Sequence, residues 1–194
     1  MSVVQMLLNR YQTKKFLYGG EMIFEQKPSL VWTVLGSCLA ICFYHQRMKM
    51  GAIVHAQLPE KKMGPPLCDG ACPVRCLNSE NEDSPYKYVT CAFKNVLDQF
   101  RHKGMKTNEL HIKLFGGAST IGSNGVNTPV GLQNIETAHA LVDKHRLKLV
   151  SQHVGGDKGR KIFFLTDSGD VYLKMLQRRA DLIDRSYSSI LNSR

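Results

Sequence analysis

The chain has 194 residues, is 43% apolar and carries a formal net charge of +10. This suits one domain spanning residues 1–194 with a core of its own, and the composition is that of a globular protein, not a disordered or fibrous one. No stretch approaches the roughly 20 apolar residues of a membrane-spanning helix, and residues 1–10 lack the basic start of a signal peptide, so membrane insertion is not expected and the cytoplasm is the expected location.

Taken in chain order, period-two alternation and β-branched residues predict strands at 21–25, 30–34, 39–44 and 51–57. Residues 60–85 then lose all periodicity. They carry several prolines and acids together with Cys68, Cys72 and Cys76, and read as a long inserted loop. A helix is predicted over 86–103, with Val89, Phe93, Val96, Leu97 and Phe100 on one face and Gly104 as its stop. Next come a strand at 110–115 and a helix over 131–145 with Leu132, Ile135, Ala138, Leu141 and Val142 inward. Strands follow at 147–154, 161–166 and 170–176, the last two joined as a hairpin through Asp167-Ser168-Gly169. The tail, 177–194, is polar and predicted to be helical over 179–190. Regular βαβ alternation is missing. The expected fold is therefore α+β, a layered α/β sandwich with mixed or antiparallel sheets and two to three helices.

The excess positive charge favours an acidic partner. It does not distinguish nucleic acid from a membrane surface or an acidic protein, but no basic–aromatic motif supports nucleic-acid binding. In a reducing compartment the six cysteines are thiols before they are disulfides. The loop set Cys68, Cys72 and Cys76 could share a helix face, but Gly70 and Pro73 prevent a regular helix, and the spacing matches neither common zinc pattern. They are expected to be idle, with no metal and no cofactor.

Leu35-Gly36-Ser37-Cys38 brings a strand to a Gly-Ser turn and then a cysteine. A glycine there permits a sharp bend, and backbone N–H groups around Gly36 and Ser37 could hold an oxyanion. His55 interrupts the apolar run Ala52-Ile53-Val54-His55-Ala56. If the two strands are neighbours, thiol and imidazole come together as a nucleophile–base pair. Each residue alone is more often core than chemistry, and His153 is a second histidine on an apolar strand with the same ambiguity. Two glycine turns, Phe115-Gly116-Gly117-Ala118 and Val154-Gly155-Gly156, lack the spacing of a phosphate loop and read as tight turns.

In combination these segments carry a resemblance. Leu35 to Cys42, Gly51 to Pro59, Phe115-Gly116-Gly117-Ala118, and the region from Val154-Gly155-Gly156 through Gly159-Arg160-Lys161 to Thr166-Asp167-Ser168-Gly169-Asp170-Val171 resemble, in order, the motifs of the chemoreceptor glutamine deamidases, the CheD family. The resemblance implies a layered sandwich related to bacterial toxin deamidases, with Cys38 as nucleophile, His55 as base and Thr33 completing the site. It implies hydrolysis of glutamine side chains on chemoreceptor cytoplasmic signalling domains, and a CheC-type phosphatase as a further partner. Gln57 departs from the apolar residue expected there, the cysteine-bearing loop exceeds the family's minimal form, and the tail beyond Leu176 is outside the shared region. Two other readings stay open on the residues themselves: a thiol amidase or peptidase with another substrate, or a module that mainly binds the phosphatase.

Overall fold

The computed structural model describes residues 3–60, 84–119 and 129–177. Its elements run α1 (Val3–Arg10), β1 (Thr13–Phe16), β2 (Met22–Glu25), β3 (Ser29–Leu35), β4 (Leu39–His45), β5 (Met50–Ala56), α2 (Val89–His102), β6 (Leu110–Gly116), α3 (Val130–Lys144), β7 (Lys148–Val154), β8 (Arg160–Leu165) and β9 (Val171–Met175). The strands form a four-stranded sheet, β1-β3-β8-β9, and a five-stranded sheet, β2-β5-β4-β6-β7. Both are mixed: β1 with β3 and β6 with β7 are parallel, while the other pairs are antiparallel. The α+β layered expectation holds.

The layers follow from alternation along the central strands. All of β4 and β5 is buried. On one face Leu39, Ile41, Phe43, Ala52, Val54 and Ala56 meet the apolar stripes of α2 and α3. Phe93 of α2 stands edge-on to Phe43, with ring centroids 5.1 Å apart, and burying such a side chain stabilises the fold by roughly 2–3 kcal/mol. On the other face Ala40, Cys42 and Ile53 meet Val31, Leu35, Ile162 and Phe164 of the smaller sheet. That sheet's outer face is covered by α1 and the residue after it: Leu7 and Tyr11 pack on Leu30, Phe163 and Leu165.

Three features depart from the sequence reading. Residues 1–16 were not assigned elements, yet they supply α1 and β1. The helix expected from 86 begins instead as a 3₁₀ turn at Pro85–Lys87, and Tyr88 is extended before α2 starts. The cause is backbone pairing: Gln57 and Leu58 both donate to the Lys87 carbonyl, and Val89 donates back to Leu58. Lastly, β6-α3-β7 forms one parallel crossover, although the chain lacks βαβ alternation elsewhere. Most of the 60–85 loop, with its three cysteines, and the predicted helix at 179–190 lie outside the described residues.

Candidate active site

The register of β4 and β5 places His55 opposite Ala40 and Leu39 opposite Ala56. Cys38 comes immediately before β4, two residues from Ala40, so its side chain falls on the same face as Ala40 and His55. That face looks into the layer between the sheets, and Cys38, half-buried, packs there against the Ala40–Ile53–Phe164 cluster. Across the layer stands β3, whose Val31, Thr33 and Leu35 point inward. Thr33 is fully buried, and its Oγ1 lies 2.7 Å from His55 Nδ1 and 2.7 Å from the Leu17 carbonyl oxygen. The two sheets therefore meet polar-to-polar at this position.

These contacts determine the imidazole tautomer. The Thr33 hydroxyl has one proton, and the Leu17 carbonyl can only accept it. Oγ1 must then accept from His55 Nδ1–H, which leaves the Nε2 lone pair free to take a proton. Burial pulls the His55 pKa below its ordinary 6.5, against the opposing pull of the Leu17 carbonyl and the Glu21 carboxylate. Burial pushes the Cys38 thiol above its ordinary value, partly offset by a hydrogen bond from its own backbone N–H. Both groups thus rest neutral near pH 7. Neither shift favours a standing thiolate–imidazolium pair.

The turn carrying Cys38 is held from the opposite side. Gly117 N–H donates to the Cys38 carbonyl and Ala118 N–H to the Gly36 carbonyl, each at 2.8 Å. The glycine requirement sits here and not at Gly36: Gly116 and Gly117 have φ of 117° and 68°. A Cβ on Gly116 would stand 2.1 Å from the Cys38 carbonyl oxygen. Gly131 of α3 lies against Gly117 closely enough that a Cβ would meet its carbonyl oxygen at 2.6 Å, so α3 starts almost in contact with the turn. One helical turn later, Asn134 Nδ2 donates to the Ser37 carbonyl at 3.0 Å and the Gln57 carbonyl at 3.1 Å.

Asn134 was missed in the sequence. Its signal was an amide on the inward stripe of a helix, a residue type that helix interiors disfavour. Gln57, noted for its polarity, contributes its backbone: its N–H bonds Lys87 and its carbonyl takes Asn134. His153 does not join Cys38. It is exposed on β7, and its Nδ1 accepts from buried Arg160 at 2.9 Å. Arg160 also donates to the carbonyls of His153 and Gly155, which anchors the Gly155-Gly156 turn as it passes from one sheet to the other. An open groove of about 830 Å³ lined by Arg10, Tyr44, Lys113 and Asp167 contains neither Cys38 nor His55.

Among the described residues no helix is long and apolar enough to cross a membrane. The family model for CheD chemotactic sensory transduction matches residues 73–175, a span that begins after Cys38 and His55 and includes Gly116, Gly117 and Asn134. A relative from Nitratidesulfovibrio vulgaris named "Probable chemoreceptor glutamine deamidase CheD" is 37% identical over 82% of this chain and 75% of its own length. One of the same name from Maridesulfovibrio salexigens is 36% identical over 84% of this chain and 92% of its own. A similarly named relative from Geobacter sulfurreducens is 33% identical over 84% of this chain and 90% of its own. With identities of this order over most of both partners, the chain belongs to the CheD chemotactic sensory transduction family.

Proposed function

We propose that this protein hydrolyses the side-chain amide of glutamine residues on the cytoplasmic signalling domains of chemoreceptors, converting them to glutamate and tuning chemotactic signalling, with Cys38 as nucleophile, His55 as general base and acid, and Thr33 as the residue that orients His55. The relatives' shared name supports the substrate class. The observation that carries the chemistry is the 2.7 Å contact of Thr33 Oγ1 with His55 Nδ1, which turns the basic nitrogen of an inter-sheet histidine away from Thr33 and leaves it able to serve a thiol on the neighbouring strand.

In this reading His55 Nε2 takes the Cys38 thiol proton as sulfur attacks the glutamine carboxamide carbon. The carbonyl π electrons move to oxygen, and the oxyanion is met by backbone N–H groups of the Gly36-Ser37-Cys38 turn. Collapse of this intermediate breaks the C–N bond, and ammonia departs with the proton from His55. Water, deprotonated by the same imidazole, then attacks the thioester carbon. The C–S bond breaks, glutamate is released and sulfur regains its proton. Converting a neutral side-chain amide into a carboxylate adds one negative charge per site, which the receptor's signalling equilibrium would register. Charge complementarity between a +10 protein and an acidic receptor face would speed encounter.

The test is mass spectrometry of candidate receptor cytoplasmic fragments after incubation with this protein. Wild type should convert specific glutamines to glutamate, and Cys38→Ala should fall by at least about a thousandfold with an unchanged circular dichroism spectrum. Full activity in Cys38→Ala would overturn the nucleophile assignment. Conversion of free glutamine or cleavage of peptide bonds, with receptor untouched, would replace the substrate assignment by a general thiol amidase or a peptidase.

A further inference from the structure

We infer that Asn134 is the positioning residue for the oxyanion donor: its carboxamide holds the Ser37–Cys38 peptide plane so that the Cys38 N–H faces the reacting carbonyl, and braces that turn against the end of the His55 strand. The inference rests on the Cys38–His55 reading and adds a residue on a separate element to it.

The geometry begins with the turn. The carbonyls of Gly36, Ser37 and Cys38 all accept hydrogen bonds, from Ala118, Asn134 and Gly117 respectively. In a planar trans peptide the N–H points opposite to the C=O, so holding the Ser37 carbonyl toward α3 directs the Cys38 N–H away from α3. That N–H stands next to its own sulfur, where it already lowers the thiol pKa. An attacked carbonyl bonded to sulfur would place its oxygen within reach of the same N–H. Of the three restraints, the outer two come from backbone N–H groups and depend on no side-chain donor. The central one comes from a side chain.

Asn134 is also expensive to keep for stability alone. It is fully buried, and its Oδ1 has no hydrogen-bond partner among the described residues. A half-satisfied buried amide costs free energy, and asparagine is a poor residue for a helix interior. Its orientation is not in doubt, because the flipped amide would press Oδ1 against the Ser37 and Gln57 carbonyl oxygens. The amide's two N–H bonds reach one carbonyl next to Cys38 and one two residues beyond His55. A leucine, branched at the same atom with the same number of heavy atoms, would carry no orphaned oxygen but also no donors, so what asparagine adds here is the pair of N–H bonds.

The experiment compares deamidation of a receptor cytoplasmic fragment with alkylation of Cys38 by iodoacetamide, in wild type and Asn134→Leu. Alkylation needs the thiolate but no oxyanion donor. Losing one such donor costs about 100- to 1,000-fold in kcat, so Asn134→Leu should lose about that much kcat with KM within about threefold, while the alkylation rate and its pH profile stay those of wild type. If Asn134→Leu does not fold, the isosteric Asn134→Asp serves. A carboxylate facing two carbonyl oxygens repels them, whereas the protonated acid donates one bond, so its kcat relative to wild type should be higher at pH 6 than at pH 8. A kcat within threefold of wild type, or alkylation slowed in proportion to kcat, overturns the inference. Alkylation unchanged in His55→Ala would instead overturn the underlying base assignment, which keeps the two failures apart.

Discussion

His45 and His55 stand near opposite ends of the same two strands, and apart from the family resemblance that singles out His55 their local sequence surroundings are alike. Both sit in otherwise apolar strands, and both are buried, at 1% and 7% exposure. The difference lies in the face each occupies. His45 ends β4 on the helix side, where its Nδ1 accepts the Met48 N–H at 3.3 Å and secures the β4–β5 turn. Its Nε2 lies 3.1 Å from the Glu109 carboxylate, close but without hydrogen-bond geometry. His55 is on the inter-sheet side, with a hydroxyl from the opposite sheet on one nitrogen and a half-buried thiol on the next strand. Burial does not make a histidine a base. In the proposed mechanism, a partner that presets the tautomer and a thiol on the same face do.

The sharpest way to break this contrast is His55→Ala. Loss of a general base typically costs about 10²- to 10⁴-fold, so deamidation should fall by that order, and iodoacetamide should alkylate Cys38 more slowly at neutral pH. Identical alkylation profiles in wild type and variant would mean that thiol and imidazole are not paired.

Thr33→Val tests the tautomer argument with a smaller effect. The variant removes the acceptor of Nδ1–H and the donor to the Leu17 carbonyl. The imidazole should lose its orientation, with kcat falling about 100-fold, the penalty of a small misplacement, and stability falling by roughly 1–3 kcal/mol for the unpaired groups. Retained kcat with only the stability loss would reduce Thr33 to packing.

The pH profile sharpens the comparison further. Only neutral His55 can accept the thiol proton, so activity should rise with pH through the His55 midpoint. Burial holds that midpoint below 6.5, so the acid limb of kcat/KM should lie below 6.5 as well. The stability linkage has the same sign. A folded pKa below the unfolded one means that the unfolded state binds more protons, so the contribution of His55 is present above 6.5 and is lost as pH falls through the folded midpoint. An acid limb at or above 6.5 would show that some other group controls it.

The smallest effect on activity is expected at the other end of the ladder. His45→Gln should leave deamidation within twofold while lowering the melting temperature, because the lost bond to the Met48 N–H is worth about 1 kcal/mol. An activity loss comparable to that of His55→Ala would erase the distinction between the two histidines.

What the sequence determined by itself was whatever repeats locally. Alternation and β-branched, apolar runs located the strands from 21 onward to within a residue or two, because such residues suit a pleated surface covered on one face or, as in β4 and β5, on both. The helical stripe from Val89 to Phe100 was legible because burying one face demands it. Residues 1–16 gave no such signal: β1 is short and mostly exposed, and α1 owes its place to the Leu30–Phe163–Leu165 surface it covers. Cys38 and His55 could be suspected from their motifs, since their strands are antiparallel neighbours joined by a short turn.

Only the tertiary structure decided the rest. The resemblance named Thr33, but its contact with His55 arises because two sheets stack face to face about 10 Å apart, and no period along the chain encodes which residue of one sheet faces which of the other. Asn134 reaches the cysteine turn because Gly117 and Gly131 let a helix and a strand end approach to near contact. A lone amide in a helix shows neither that approach nor the carbonyls waiting there. Strand and helix identity follow from local backbone and burial preferences. The site depends on which layers meet, which is set by the whole core at once.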